Sequence, residues 1–561
     1  MRFLDVCFSL LLGFSFVNSS CGLRPNIIFI LADDLGVGDL SVDDYKQEQQ
    51  EHKQQIQTPS LERMARNGIR YTQAYAPSPV CGPSRASILF GYDTGQSPIR
   101  GNTGTGIDFD LPRSETTFVE LLESSGYFTA LIGKWGFGGP GGSLPGQYGF
   151  QRFIGQLTHQ DAHVLMPLRI HNHTKIYPFK LNKKNQNNFN FMYTIDEQSI
   201  YLEKNEKANE NYCIQDNLNC DFAHDVYTRY ALDYISDHCG KNQKNNNNNN
   251  NNQPYFLYLS YNTPHVGSWL NEDKLDNYRD KIRKVAPKYD KNCVDTINVP
   301  GDTSKVDECR HKSILEDYID VDVGKILDLV RDCNDEDSTM IIFAGDNGPN
   351  GNLFLSNNQR NRVHHLDTFY STAGMRGGKR DMYEGGIRTP LIIQWKNTIP
   401  MNSVSTKMVS LIDLYQTFIE VAGLTEQCFL FPPSLSSRIL SSLSSSSSSS
   451  RISSSRISLL NNENEHDYLY WEFCPSQVKE WKTIRRRPWK RCSRAARLQN
   501  GMKLVYRHET EKLELYNITN DYSETRNIIN INENSILLKQ LQDIFDNSHV
   551  PLTGPFPEMK L

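Results

Sequence analysis

Apolar runs recur along this chain, each ending in a polar, glycine-rich or charged tip and followed by a stretch of helical periodicity. The runs cover residues 26 to 32, 127 to 133, 255 to 261, 340 to 344 and 391 to 395. The helical stretches cover 59 to 67, 117 to 124, 222 to 238, 314 to 331 and 411 to 422. Thr58 and Pro59 suit the start of the first of these, an N-cap followed by a residue whose missing N–H is not needed there. Alternation of this kind predicts an α/β fold, a mostly parallel sheet covered by helices on both faces. Ligands of such sheets sit at the carboxyl ends of the strands, so the tips are where chemistry is expected.

The 561 residues exceed what this layered unit needs and leave room for a second, smaller one. Residues 1 to 21 carry one Arg near the start, an apolar stretch and then small polar residues, the pattern of a secretory signal peptide. Residues 22 to 425 hold the α/β pattern, with an Asn-rich loop at 242 to 252. A Ser-rich low-complexity loop at 433 to 458 cannot bury enough apolar surface to order itself. Beyond it, 466 to 561 reads as a small α+β subdomain, with strands at 466 to 473, 496 to 506 and 511 to 517 and a closing helix near 536 to 545. Sixty basic against 65 acidic residues give a net charge of -5, with no global field to attract nucleic acid. No later apolar run is long enough to span a bilayer.

Twelve cysteines on a secretory route imply disulfides. Setting aside Cys7, Cys21 and Cys81 leaves nine, of which those between Cys213 and Cys333 would staple the insertions there. The sequons at Asn172 and Asn517 suit the same compartment, lysosomal or extracellular.

Asp33 and Asp34 stand directly after the first run, and Asp346 and Asn347 directly after the fourth. Adjacent carboxylates at a strand tip repel unless a cation lies between them. Four oxygen-bearing side chains from two tips, with no zinc-like Cys or His spacing nearby, favour Ca²⁺, or less readily Mg²⁺. Cys81-Gly82-Pro83-Ser84-Arg85 opens a helical stretch that runs to about residue 90.

That C-x-P-S-R pattern resembles the signature of the type I sulfatases, arylsulfatase and N-acetylgalactosamine-sulfatase-like members of the alkaline phosphatase-like superfamily. RPNIIFILADDLG, CGPSRASILFG, GYFTALIGKWGFG, FLYLSYNTPH, AGDNG and RGGKRDMYEGGIRTP occur in that family's order and at its usual spacings. The resemblance implies a large mixed, mostly parallel sheet with a small C-terminal antiparallel sheet. It implies that a formylglycine-generating enzyme of the secretory pathway oxidises Cys81 to formylglycine, whose hydrated aldehyde attacks the sulfur of a sulfate ester. Asp33, Asp34, Asp346, Asn347 and the modified Cys81 would then surround one Ca²⁺. Arg85 would stabilise the formylglycine, Lys134, His265 and Lys379 would hold the sulfate, and His265 would protonate the leaving oxygen.

One position departs from the family. Many members read G-K-W-H where this chain has Gly133-Lys134-Trp135-Gly136, and the missing His is the one credited with base catalysis in sulfate release. His159 and His163, in LTHQDAHVLMP, are candidates to fill that space or to bind substrate. The basic run 485 to 487, flanked by Trp481 and Trp489, reads as a solvated loop.

The substrate expected is a sulfated aryl compound, glycan or glycolipid. The other activities in view are a phosphodiesterase or phosphonate hydrolase of the same superfamily, against which Cys81 speaks, and a non-catalytic binder of sulfated glycans, suggested only by Gly136. Oligomeric state, natural substrate and disulfide connectivity are not encoded in any readable pattern.

Overall fold

The computed structural model describes residues 24–42, 56–102, 110–138, 142–159, 161–176 (except 166 and 168), 194–201, 221–239, 253–265, 311–350 (except 313), 370–424, 458–460, 465–475, 492–531 and 535–549. The signal peptide, the Asn-rich loop, the Ser-rich loop apart from Ser458, the basic run at 485 to 487, and Cys213, Cys220, Cys293, Cys309 and Cys428 lie outside these residues.

Ten strands form the main sheet: β1 (Asn26–Asp33), β2 (Ile69–Tyr75), β3 (Phe128–Lys134), β4 (Arg152–Gln156), β5 (Arg169–Ile176), β6 (Thr194–Tyr201), β7 (Tyr255–Pro264), β8 (Thr339–Gly345), β9 (Leu391–Gln394) and β10 (Ser403–Ser410). Their order is β10-β2-β9-β8-β1-β7-β3-β4-β5-β6. The five central strands β8, β1, β7, β3 and β4 run parallel, while β9, β5 and β6 pair antiparallel to their neighbours. The run at 391 to 395 is thus a strand, β9, but one that runs against β8.

Every residue of β1, β7 and β8 is buried, which is why these strands read as unbroken apolar runs rather than alternating ones. The alternation is spatial instead. Ile27, Phe29 and Leu31 enter one core, and Ile28, Ile30 and Ala32 the other.

Helices supply the facing layers: α1 (Pro59–Arg66), α2 (Cys81–Phe90), α3 (Phe118–Ser124), α4 (Ala223–His238), α5 (Asp320–Asp332), α6 (Glu384–Ile387), α7 (Asp413–Val421) and α8 (Ser535–Ser548). α2, α3 and α7 pack on the first core through Leu89, Phe118, Leu122 and Phe418, and α1, α4 and α5 on the second through Leu61, Tyr227 and Ile326. Cys239–Cys333 ties the carboxyl ends of α4 and α5 together.

The second sheet is antiparallel: β11 (Tyr468–Phe473), β12 (Ser493–Leu498), β13 (Met502–Arg507) and β14 (Lys512–Asn517), in that order, with α8 packed against it through Leu541 and Phe545. Cys474–Cys492 joins the end of β11 to the start of β12. The expected strand at 496 to 506 is in fact a hairpin, because Asn500-Gly501, with Gly501 at φ 85°, turns the chain. The sequon residue Asn172 lies within β5, paired on both sides, whereas Asn517 ends the edge strand β14.

Candidate active site

The carboxyl ends of β1, β3, β7 and β8 and the first turn of α2 converge on one buried volume. Successive side chains of a strand point to opposite faces, so Asp33 and Asp34 cannot share a site while the chain stays extended. Asp34 leaves the strand conformation, with φ at 66°. Its N–H donates to Asp346 Oδ1 at 3.1 Å, an anchor that holds this uncommon backbone region. Both carboxylates then turn inward.

In α2, Cys81 and Arg85 are four residues apart and share a face, and all ten residues of the helix are buried. Gly91 ends the helix at φ 67°, where a Cβ would lie 2.5 Å from Tyr415. Arg85 donates through Nε to Asp346 Oδ2 at 2.8 Å, pairs with Asp33 at 3.8 Å and reaches Ser260 on β7. Ser260 in turn donates to the carbonyl of Lys134 at 2.6 Å. Gly133, at φ 112°, packs directly on the Ser260 carbonyl, 2.0 Å from where a Cβ would stand, and so brings Lys134 against β7. Lys134 Nζ reaches Asp33 Oδ2 at 2.5 Å, and Lys379 Nζ reaches Asp34 Oδ1 and Oδ2 at 2.7 and 2.8 Å. His265 Nε2 lies 3.4 Å from Asp34. Asn347 donates through Nδ2 to Asp34 Oδ1 at 2.7 Å.

Three carboxylates are matched by three side-chain cations, all nearly inaccessible to water. Burial pushes the Asp33 carboxyl up, but the cations Lys134, Arg85 and Lys379 together hold it well below the usual range. Burial and the charge of Asp33 push Asp346 well up. On Lys379, burial opposes the charge and the carboxylate of Asp34 outweighs it. His265 is kept neutral by burial and by Lys379, and His163 by burial and by His265.

A divalent cation fits this donor set. Among the described residues, Asp33 Oδ1 and Asn347 Oδ1 are buried acceptors with no hydrogen-bond donor. Ligand atoms of Asp33, Cys81 and Asp346, and of Asp33, Asp34 and His265, lie within 4.8 Å of one another. The donors are mostly oxygens, as a hard cation requires. With side-chain charges already balanced, such a cation leaves the site with a positive surplus that suits an oxyanion.

Cys81 is the only free cysteine among the described residues, and it is buried. Its Sγ lies 3.7 Å from both ring nitrogens of His159 and 3.4 Å from Asn102 Nδ2. His163 stacks on His265 with centroids 4.0 Å apart and meets His159 edge-on at 4.6 Å. The loop carrying both is pinned by Gln156, which donates to Val164 O at 3.0 Å, and by Asn262, which donates to Ala162 O at 2.9 Å. Gly136 adjoins the same cluster; a Cβ there would lie 3.6 Å from Lys134 and 4.0 Å from Arg85. All eleven candidate residues named from the sequence therefore fall within this cluster, His159 and His163 included. Asn102, Ser260, Gln156 and Asn262 were not among them, since each acts through a contact with a distant part of the chain.

The family model described as Sulfatase matches residues 25–424, and the one described as N-sulphoglucosamine sulphohydrolase, C-terminal, matches 377–550. N-acetylgalactosamine-6-sulfatase of Canis lupus familiaris is 27% identical over 435 residues, covering 75% of this chain and 65% of its own length. Against that relative the chain spans less than two thirds of the length. Steryl-sulfatase of Homo sapiens is 27% identical over 475 residues, covering 75% of this chain and 70% of its own. The crystal structure of the PsFucS1 sulfatase from Pseudoalteromonas sp. has the same fold, with a TM-score of 0.57 at 17% identity over 96% of this chain and 94% of its own.

Proposed function

The chain belongs to the sulfatase family, and on that premise we propose that it is a sulfuric ester hydrolase acting on sulfate monoesters of an aryl, glycan or glycolipid alcohol. The observation that carries this reading is the placement of Cys81 Sγ beside Asp33 and Asp346 and at the rim of Lys134, Lys379 and Arg85. A nucleophile there faces a positive field shaped for a tetrahedral oxyanion. Cys81 serves as the precursor of formylglycine, and a geminal diol at that carbon lets one hydroxyl attack sulfur while the other expels sulfate. Asp33, Asp34, Asp346 and Asn347 would hold the cation, Ca²⁺ in preference to Mg²⁺, which would supply Lewis-acid polarisation of the sulfate oxygens.

Lys134 and Lys379 orient the sulfate; His265, neutral at rest, would first take up a proton and then hand it to the departing oxygen. His159, against Cys81 Sγ, fills the space left by Gly136; His163 stacks on His265 and limits its rotation. A phosphodiesterase or phosphonate hydrolase would use the same cations, but Cys81 rather than a hydroxyl residue favours sulfate.

The leader at 1 to 21, the paired cysteines and the sequons support passage through the secretory pathway to a lysosome or the exterior. The formylglycine-generating enzyme would be met on that route. Among the described residues no helix is long and apolar enough to cross a membrane.

Assay of the purified protein on aryl, hexosamine and uronate sulfates, with and without a chelator, tests the reading. At least one sulfate ester is expected to be cleaved, with turnover lost on chelation and restored by Ca²⁺ better than by Mg²⁺. Cleavage of phosphodiesters or phosphonates alone would transfer the chain to the related activity, and no turnover with retained binding of a sulfated glycan would make it a binder.

A further inference from the structure

We propose that Asn102 is a further catalytic residue, donating a hydrogen bond to the oxygen that replaces Sγ at position 81, and that the C-terminal sheet holds it in place. This rests on the proposed conversion of Cys81 to formylglycine.

The orientation of the amide follows from its neighbours. Asn102 Oδ1 accepts the backbone N–H of Gly82 at 3.1 Å, and an N–H can only donate. The NH₂ end must therefore face the other way, where Nδ2 lies 3.4 Å from Cys81 Sγ and 3.1 Å from His159 Nε2. One hydrogen points at the reacting atom and the other at the imidazole. His159 is then the acceptor at Nε2 in that contact and carries its proton on Nδ1. Asp33 and Asp346 also lie around Sγ, but as acceptors; a fixed neutral donor is what an oxygen gaining negative charge at residue 81 requires.

The segment that carries Asn102 is clamped from the second sheet. Cys474, at the end of β11, donates its N–H to the carbonyl of Arg100 at 2.8 Å. Gly101 lies so close that a Cβ would stand 2.0 Å from Cys474 O, so the glycine is needed for the approach. The buried guanidinium of Arg100 donates to Glu472 Oε1 at 2.9 Å, to Ser97 O at 2.7 Å and to Gly95 O at 2.7 Å. Arg100, Gly101 and Asn102 thus form one rigid link between β11 and the nucleophile. The small domain builds part of the active site through this link rather than only covering an apolar face.

A cap for the start of α2 is the competing role, and Asn102→Asp separates the two. The Asp variant keeps the oxygen that accepts from Gly82 and loses both donors. Full-length protein from a secretory host would be assayed on the sulfate ester best cleaved by the wild type, with the aldehyde content of the peptide spanning residue 81 measured by mass and kcat normalised to it. Asn102→Asp and Asn102→Ala are both expected to lose about 100-fold in kcat, with KM changed less than about threefold. The thermal midpoint of Asn102→Asp should stay within about 3 °C of wild type. Should Asp impair maturation, Asn102→Ala is read together with its thermal midpoint: a normalised kcat lost at an unchanged midpoint supports the donor role, and one lost only along with the midpoint overturns it. Per-aldehyde turnover of Asn102→Asp equal to wild type would overturn this role alone. A wild-type protein without the aldehyde would overturn the reading beneath it as well.

Discussion

Cys81→Ser protein is expected to fold and to show no sustained turnover of any sulfate ester, a loss of about 10⁴- to 10⁶-fold against matured wild type. Oγ occupies nearly the position of Sγ, within reach of Asn102, and the buried helix α2 loses no packing of consequence. Stability should therefore move by less than about 1 kcal/mol. The chemistry fails for a different reason. A serine carries one oxygen on its Cβ, so even if it attacked sulfur once it would remain a sulfate ester with no second hydroxyl to expel the sulfate. Stopped-flow or mass analysis after mixing would then reveal at most one equivalent of sulfated enzyme. Multiple turnovers by Cys81→Ser at a rate near wild type would show that the cation and lysines suffice with any hydroxyl, and would favour the phosphodiesterase-like reading.

The second large effect lies in the buried charges that join the two sheets. Lys503 on β13 places Nζ 2.9 Å from both Glu384 Oε1 on α6 and Glu524 Oε1, and all three side chains are inaccessible. Arg388 also pairs with Glu384, and the Glu384 N–H donates to Glu524 Oε2 at 2.6 Å. Burial raises the Glu384 carboxyl, but Lys503, Arg388 and Arg497 override it and keep that group ionised. Glu524 has Lys503 and the Glu384 backbone N–H in its favour; burial, with the charge of Glu384, outweighs them and pushes it up to about 7, from 4.5.

The folded state therefore holds the Glu524 proton more tightly than the unfolded chain does. Its contribution to stability is complete below about pH 4.5 and is lost as pH rises through about 7, a change of about 3.4 kcal/mol at most. Glu524→Gln, which mimics the protonated form, should match wild type near pH 4.5 and exceed it at pH 8. Lys503→Met, which leaves Glu524 without a cation, should cost about 3–5 kcal/mol at neutral pH and less in acid. Urea unfolding across pH 4.5 to 8 checks both. Parallel pH profiles for wild type and Glu524→Gln would show that Glu524 does not titrate in this range. The predicted profile suits an acidic lumen, the lysosomal of the two compartments proposed.

What the sequence made legible follows from burial. β1, β7 and β8 are covered on both faces and so are written as continuous apolar runs, with Asp33, His265 and Asp346 at their ends. β2 and β10 are only part-buried, and β5 and β6 carry polar residues throughout, so RIHNHTKI and TIDEQSIY show no apolar period to read. β10 also abuts α7 with too few intervening residues to mark a boundary. In the site, Cys81, Arg85 and the strand-tip groups were readable because the chemistry is local in sequence. Asn102 and Ser260 were not, because an Asn after Arg-Gly or a Ser inside a strand acquires meaning only when the fold brings β11 to residue 101 and Arg85 to β7. His159 and His163 lie between: their presence near Gly136 was visible, while their separate places, one at Cys81 and one on His265, needed the pinned loop.

Mass analysis of the peptide spanning Cys81, from protein made on its native secretory route, tests the central claim most directly. The account predicts an aldehyde at residue 81, seen as the mass of formylglycine and trapped by a carbonyl-reactive probe. An alkylatable thiol or a disulfide at Cys81 in protein that nonetheless turns over sulfate esters would contradict it.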